Sequence, residues 1–326
     1  MHPLKIGVIG TGHMGQNHVR NLAAEKKFDL VGVYDINISQ AKTVAEKFGT
    51  AVFDDIDRLL DSIEAVVIAV PSSLHKEVAL KAAAHGVHAL VEKPLATNLA
   101  DAETIADSFS KRKLKLSVGH IERFNPVFME LQKLIQGKKV FYIEACRYSP
   151  FSGSGRITDT SVVEDLMIHD IDLVCSLMNG RPVTSIHGRG ETVLSGQTDF
   201  ATCLLDWGGQ AHAIINASRI SQNKERVIKV HTSDCYFEAD LLAKTLSIAK
   251  STNITIDITK DTFYKQDSVI QKVYIPVEEP LKAELLSFYD AVVSDKPMVV
   301  TGEMGIEAIK ICQVIAERAK KNQWTE

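Results

Sequence analysis

Six residues near the start of the chain restrict its fold more than any other feature. Gly10-Thr11-Gly12-His13-Met14-Gly15 follows directly on the apolar run Lys5–Ile9 and opens a helix. Glycines at the first, third and sixth places of a strand-to-helix turn meet three needs: a tight turn, close approach of a ligand to the backbone, and close packing of helix on strand. A helix starting there presents free N–H groups and the positive end of its dipole, which suits a pyrophosphate. The second apolar run, Leu30–Tyr34, ends at Asp35, 20 residues after Gly15. A carboxylate there accepts hydrogen bonds from adenosine-ribose hydroxyls and repels a 2′-phosphate. Ile36 and Asn37, which follow, offer no cation to such a phosphate. The pattern predicts a dinucleotide site that takes NAD rather than NADP. A glycine turn in a Rossmann-like domain for another ligand, such as S-adenosylmethionine, is the competing reading.

The rest of the chain reads as two halves. In the first, short apolar runs (Lys5–Ile9, Leu30–Tyr34, Ala65–Val70, His88–Val91, Lys115–Val118) alternate with amphipathic helical patterns such as Ala41, Val44, Ala45 and Phe48. That alternation predicts a doubly wound parallel sheet, its strands covered on both faces. The second half has longer runs in which polar and apolar residues alternate: Val140–Tyr148, Phe200–Trp207, Ala211–Ser218, Val227–His231, Tyr236–Asp240, Ile254–Ile258 and Val269–Ile275. These predict an α/β domain with a large, open, mostly antiparallel sheet. Helices are expected at about 162–178, 281–294 and 303–321. The domains are placed at 1–122 and 123–326.

Composition narrows the partners. A formal net charge of -4 gives no broad basic field for nucleic acid. The five cysteines, at 146, 175, 203, 235 and 312, show no CxxC spacing and read as free thiols of a reducing compartment. No apolar run approaches the ~18 residues of a membrane span, and no secretory signal opens the sequence. A cytoplasmic protein with a small-molecule substrate and no metal is expected.

Asp165, His169 and Asp172 are spaced i, i+4, i+7, whereas Met167, Ile171, Val174 and Met178 fall on the opposite side of the same predicted helix. The helix should pack on its apolar side and present Asp165 with His169. A histidine suits a base that takes a hydroxyl proton as hydride leaves. Asp170 and Asp172 are left either to solvent or to the opposite domain. Arg123, Arg156 and Arg219 either converge on an anionic group, for which guanidinium forks are suited, or are unrelated surface residues.

Taken together, Gly10–Gly15, the segment Ala69-Val70-Pro71-Ser72-Ser73-Leu74-His75, the tripeptide Glu92-Lys93-Pro94 and the pair Asp165…His169 resemble the glucose–fructose oxidoreductase, inositol dehydrogenase and MocA (Gfo/Idh/MocA) family over essentially the whole chain. The resemblance implies an oxidoreductase with Lys93, Asp165 and His169 as catalytic residues. It implies that Gly10, Gly12, His13, Met14, Gly15, Asp35, Val70, Pro71, His75, Glu92 and Lys93 bind NAD. It also implies a homodimer or homotetramer built on the open sheet. The run His120–Pro126 and the Arg219 region look most like members acting on UDP-N-acetylglucosamine at its 3-hydroxyl, whose keto product an aminotransferase converts for lipid A assembly. Substrate contacts are then expected from Lys93, Arg123, Asn125, Tyr148, Arg156, Asp165, His169 and Arg219. An inositol or free-sugar dehydrogenase, and an NAD-dependent glycosidase that recycles its cofactor, are the alternatives within the family.

Asp35 generates the first prediction. The kcat/KM ratio should favour NAD over NADP, and Asp35→Ala should narrow that preference. An NADP preference in the unmodified protein would contradict the reading.

Overall fold

The computed structural model describes residues 2–151, 160–250, 254–257, 263–266 and 269–321. The chain divides into two compact units, Met1–Phe124 with Glu278–Lys310, and Asn125–Val277 with Ile311–Glu326. The first unit therefore takes back a stretch that the sequence reading gave to the second domain.

In the first unit the strands are β1 (Leu4–Ile9), β2 (Phe28–Tyr34), β3 (Ala51–Val52), β4 (Ala65–Ile68), β5 (His88–Glu92) and β6 (Leu116–Gly119), with helices α1 (His13–Ala24), α2 (Ile38–Phe48), α3 (Ile56–Leu60), α4 (His75–Ala84) and α5 (Leu99–Lys111) between them. All pairings are parallel, in the order β3-β2-β1-β4-β5-β6. Strand residues alternate between two cores because successive side chains point to opposite faces. Ile6, Val8, Ala65 and Val67 pack with Val19 and Leu22 on one side, while Ile9, Val66 and Ile68 pack with Val78, Ala82 and Ile105 on the other. Helix ends follow the sequence: Asn98 caps α5 by accepting from the Asp101 amide, and Gly49 ends α2 in the left-handed region.

The second unit contains α6 (Pro126–Ile135), β7 (Val140–Tyr148), α7 (Ile168–Leu177), β8 (Ser185–Glu191), β9 (Phe200–Asp206), β10 (His212–Ser218), β11 (Glu225–Thr232), β12 (Cys235–Asp240), β13 (Thr245–Lys250), a hairpin of β14 (Ile254–Asp257) and β15 (Phe263–Gln266), and β16 (Val269–Lys272). Eight strands form one sheet in the order β16-β13-β12-β11-β7-β10-β9-β8. It is antiparallel except where β10 runs parallel to β7. Burial alternates along β7, β9, β10 and β11, so one face is covered and the other is half-open.

Two helices close the chain: α8 (Pro280–Val293) lies in the first unit, and α9 (Gly302–Lys321) spans the division at Lys310. Leu285, Phe288 and Tyr289 of α8 join the core formed by Val19, Leu22 and Phe28, with the Phe28 and Tyr289 rings edge-on at 5.6 Å. In the second unit α9 lies close over β8. A Cβ on Gly188 would come within 3.1 Å of Ile315, and one on Gly190 within 2.8 Å of Ala319.

Under the covered face Arg147 of β7 holds Asp170 of α7 through two hydrogen bonds, Nε–Oδ2 at 2.8 Å and Nη2–Oδ1 at 3.0 Å. Both side chains are almost wholly buried, and Asp172 is buried too, so neither aspartate is solvated. Removing one partner of such a pair leaves a buried charge uncompensated. Asp170→Ala should cost about 3–5 kcal/mol in urea unfolding, and Arg147→Met with Asp170→Leu should cost far less. Equal losses would contradict the pairing argument.

Asp199, also buried, accepts the amides of Val193, Leu194 and Ser195 at 2.8, 2.6 and 3.0 Å and the Ser195 hydroxyl at 2.5 Å. Burial alone raises this carboxyl, but the Ser195 hydroxyl and the three amides outweigh it and lower the pKa from 3.8 to about 2. A depressed folded-state pKa stabilises above the unfolded value, and the contribution is lost as pH falls toward the folded one. Asp199→Asn should therefore cost about 2 kcal/mol at neutral pH, and roughly half of that at pH 3. Thermal unfolding across that range checks it; a gap that does not shrink would refute the assignment.

Candidate active site

The glycine turn meets the three needs read from its spacing. Gly10 has φ +92, and a Cβ there would lie 2.6 Å from the Ala69 carbonyl oxygen. A Cβ on Gly15 would collide with the Gly10 carbonyl oxygen, whereas one on Gly12 would meet nothing within 4 Å. Two positions thus need glycine for close packing, and the third leaves the backbone open to an approaching pyrophosphate. The turn lies at the carboxyl end of β1, next to β4, where the strand order reverses and open α/β sheets bind ligands. His13 is exposed and Met14 half-buried at the start of α1.

Asp35 also braces the turn. Its Oδ2 accepts the Thr11 amide at 2.6 Å and the Thr11 hydroxyl at 2.9 Å, and its Oδ1 accepts the Asn37 amide at 2.8 Å. The Gln40 side-chain Nε2 donates to the Thr11 carbonyl at 2.7 Å. The carboxylate is thereby fixed beside the turn, half-buried, where an adenosine ribose would meet it.

At the end of β5, Glu92-Lys93-Pro94 is held by two buried histidines. His18, on the apolar side of α1, places Nε2 2.7 Å from Glu92 Oε1. The Lys93 amide donates to Glu92 Oε2 at 3.3 Å, and the Lys93–Pro94 peptide is cis. His75 places Nδ1 2.8 Å from the Pro94 carbonyl and Nε2 3.0 Å from the Val70 carbonyl. Burial lowers the His75 pKa more than the carbonyls of Pro94 and Val70 raise it. Its side chain is occupied within the protein, while Val70 is half-buried and Pro71 exposed. His18 was not read from the sequence. Its signal was a histidine at i+3 from Gly15, in line with Val19 and Leu22.

In the second unit the expected helix starts at residue 162, but its first turn is not α-helical. Residues Val163–Met167 form a π-helical turn, preceded by a Ser161–Glu164 capping box, and α7 proper starts at Ile168. Met167, Ile171, Val174 and Met178 are buried, and Asp165 and His169 are half-exposed, as the spacing predicts. The guanidinium of Arg219, buried at the end of β10, lies 3.7 Å from Asp165 Oδ2 and donates to the Thr160 carbonyl at 2.9 Å. The Arg219 amide donates to the Asp199 carbonyl. Arg219 is thus placed beside Asp165. Tyr148 ends β7 opposite Ser218, its hydroxyl pushed up to about 12, first by burial and then by Cys146.

The remaining expected substrate contacts have structural partners. Asn125 is buried, caps α6 by accepting from the Val127 amide, and donates to the Leu241 carbonyl. Arg123 belongs to the first unit, is 6% exposed and points Nη2 at Met304 Sδ at 3.5 Å. Arg156 lies outside the described residues. Among the described residues no cluster of His, Cys, Asp and Glu could hold a metal ion, and no helix is long and apolar enough to cross a membrane.

Comparison with known proteins agrees with this geometry. Residues 4–120 match the oxidoreductase family with an NAD-binding Rossmann fold, and residues 139–238 match the GFO/IDH/MocA C-terminal domain. The chain is 32% identical over 305 residues to UDP-N-acetylglucosamine 3-dehydrogenase of Acidithiobacillus ferrooxidans, covering 93% of each chain. A solved structure of that enzyme has a TM-score of 0.88 and 29% identity, covering 98% of this chain and 99% of the other. The scyllo-inositol 2-dehydrogenase (NAD(+)) of Bacillus subtilis is 27% identical over 277 residues, covering 80% of this chain and 81% of the other. The chain belongs to the Gfo/Idh/MocA oxidoreductases, and its N-terminal unit is their NAD-binding Rossmann domain.

Proposed function

We propose that the protein oxidises the 3-hydroxyl of UDP-N-acetylglucosamine to a keto group with NAD. The observation that carries this reading is the likeness to the Acidithiobacillus enzyme along 93% of both chains. NAD, held by the Gly10–Gly15 turn and Asp35, would supply the acceptor for the hydride of the carbinol carbon. The side chains manage the proton and the charge. Lys93 holds an ammonium against the substrate oxygen and lowers the pKa of the hydroxyl. His169 accepts the hydroxyl proton as the carbonyl forms, and Asp165, fixed beside Arg219, orients it. The diphosphate supplies binding energy remote from the reacting carbon, which raises kcat as well as affinity. The enzyme acts in the cytoplasm as a homo-oligomer joined through the half-open sheet face, and its keto sugar feeds a transamination toward lipid A. The likeness to scyllo-inositol 2-dehydrogenase favours a second reading, a dehydrogenase of cyclitols or free sugars.

NADH formation across a panel of nucleotide-sugars, free hexoses and inositols separates the two. UDP-N-acetylglucosamine should exceed free N-acetylglucosamine by a wide margin. Lys93→Ala and His169→Ala should each lose ~10²–10⁴ in kcat, and His169→Ala should leave NAD affinity near that of the parent. Faster turnover of an inositol or free hexose would overturn the substrate, and full activity of both variants would overturn the roles.

A further inference from the structure

We propose that His18 and His75 are positioning residues that fix Lys93 by gripping its two chain neighbours, Glu92 and Pro94. The inference rests on the reading of Lys93 as a catalytic residue. The two histidines come from different helices, α1 and α4, and both are buried, at 0% and 1% exposure. His18 acts on the residue before Lys93 and His75 on the residue after it.

The His18 contact has one satisfactory tautomer. Its Nδ1 is buried and has no hydrogen-bond partner among the described residues. An N–H there would be stranded, whereas a bare lone pair costs less. The neutral tautomer with its proton on Nε2 leaves Nδ1 bare and donates to Glu92 Oε1 at 2.7 Å. The second oxygen of Glu92 takes the Lys93 amide at 3.3 Å. The facing Gly119 leaves room for Oε2, since a Cβ there would come within 3.0 Å of it. The carboxylate is thus held by a ring and an amide, and turning it releases one of them.

His75 does the complementary work. Its ring lies between two carbonyls, Pro94 at 2.8 Å and Val70 at 3.0 Å, in the space between the β5 exit and the β4 exit. A ring with one N–H donates to only one of these carbonyls, and the shorter contact, to Pro94, is the one that holds the residue after Lys93. Backbone on each side of Lys93 is therefore anchored to a helix that packs on the sheet. The ammonium swings only from its own Cα, which matters because a displacement of ~1 Å at a reacting group can cost about 10²-fold in rate.

A double-mutant cycle tests this. His18→Leu and His18→Gln are made alone and in a Lys93→Ala background, with kcat, KM and the calorimetric Kd for NAD measured for each. His18→Leu should lose about 10²-fold in kcat with little change in Kd for NAD. His18→Gln, which keeps an amide donor to Glu92, should recover most of that loss. In the Lys93→Ala background His18→Leu should cost nothing further, because residues acting as a unit are not additive. A full additional loss, or the same loss in Leu and Gln variants with Kd weakened in parallel, would overturn the inference. If His18→Leu does not fold, His75→Leu and His75→Gln replace the pair in the same cycle.

A second arm needs no substrate. The rate at which acetic anhydride acetylates Lys93, read by mass spectrometry against Lys26, should shift several-fold in His18→Leu and return in His18→Gln; an unchanged rate counts against the inference. If no sugar is turned over by the parent protein, the proposed function fails and this rate alone decides the positioning role.

Discussion

The first unit depends on how closely α1 can approach the end of β1. That approach is possible because Gly10 and Gly15 lack side chains; a single methyl at either would strike backbone. Once α1 is seated, several things follow. Thr11 lies beside the β2 exit, where Asp35 locks it, and Gly12 is left facing open space. One turn further on, His18 is carried under the β5 exit, in reach of Glu92. Cofactor turn and candidate catalytic lysine are thus set by the same helix placement.

The second unit relies on buried charge. Arg147 with Asp170, the Arg219 guanidinium and the Asp199 carboxylate are all withdrawn from water. Buried charges are expensive unless their hydrogen-bonding groups are met. The Arg147–Asp170 fork fixes α7 against the sheet. Asp199 folds the loop before β9 around itself, and its backbone carbonyl then receives the Arg219 amide. Asp165 and His169 therefore stand over rigid polar supports, one beneath α7 and one at the end of β10.

Much of this was legible in the sequence because the signals were physical. Strands covered on both faces appear as unbroken apolar runs, and β1, β2, β4, β5 and β6 were all read that way. The apolar stripe of Met167, Ile171, Val174 and Met178 gave the packed side of α7. Other features carried no such signal. β8 contains Gly188 and Gly190, which weaken a strand pattern, yet these glycines let α9 approach. β13 has only Leu246 and Ile248 as large apolar residues, too few to stand out. The burial of Arg123 and Asn125 and the π turn before α7 are tertiary facts, invisible to residue type. Amphipathicity showed that α8 buries a face, but not that the face meets Phe28, some 250 positions earlier in the chain.

That last contact has a consequence for how the protein is made. A Rossmann unit built from the first 124 residues alone would leave Val19, Leu22 and Phe28 without Leu285, Phe288 and Tyr289. On the ribosome, the nascent N-terminal half must therefore wait, with part of its apolar surface uncovered, while the whole eight-stranded sheet is synthesised. Contacts of such long sequence separation close late and slowly, and uncovered apolar surface invites aggregation during the delay. The interval between translation of α1 and translation of α8 is the one in which that apolar surface stays uncovered.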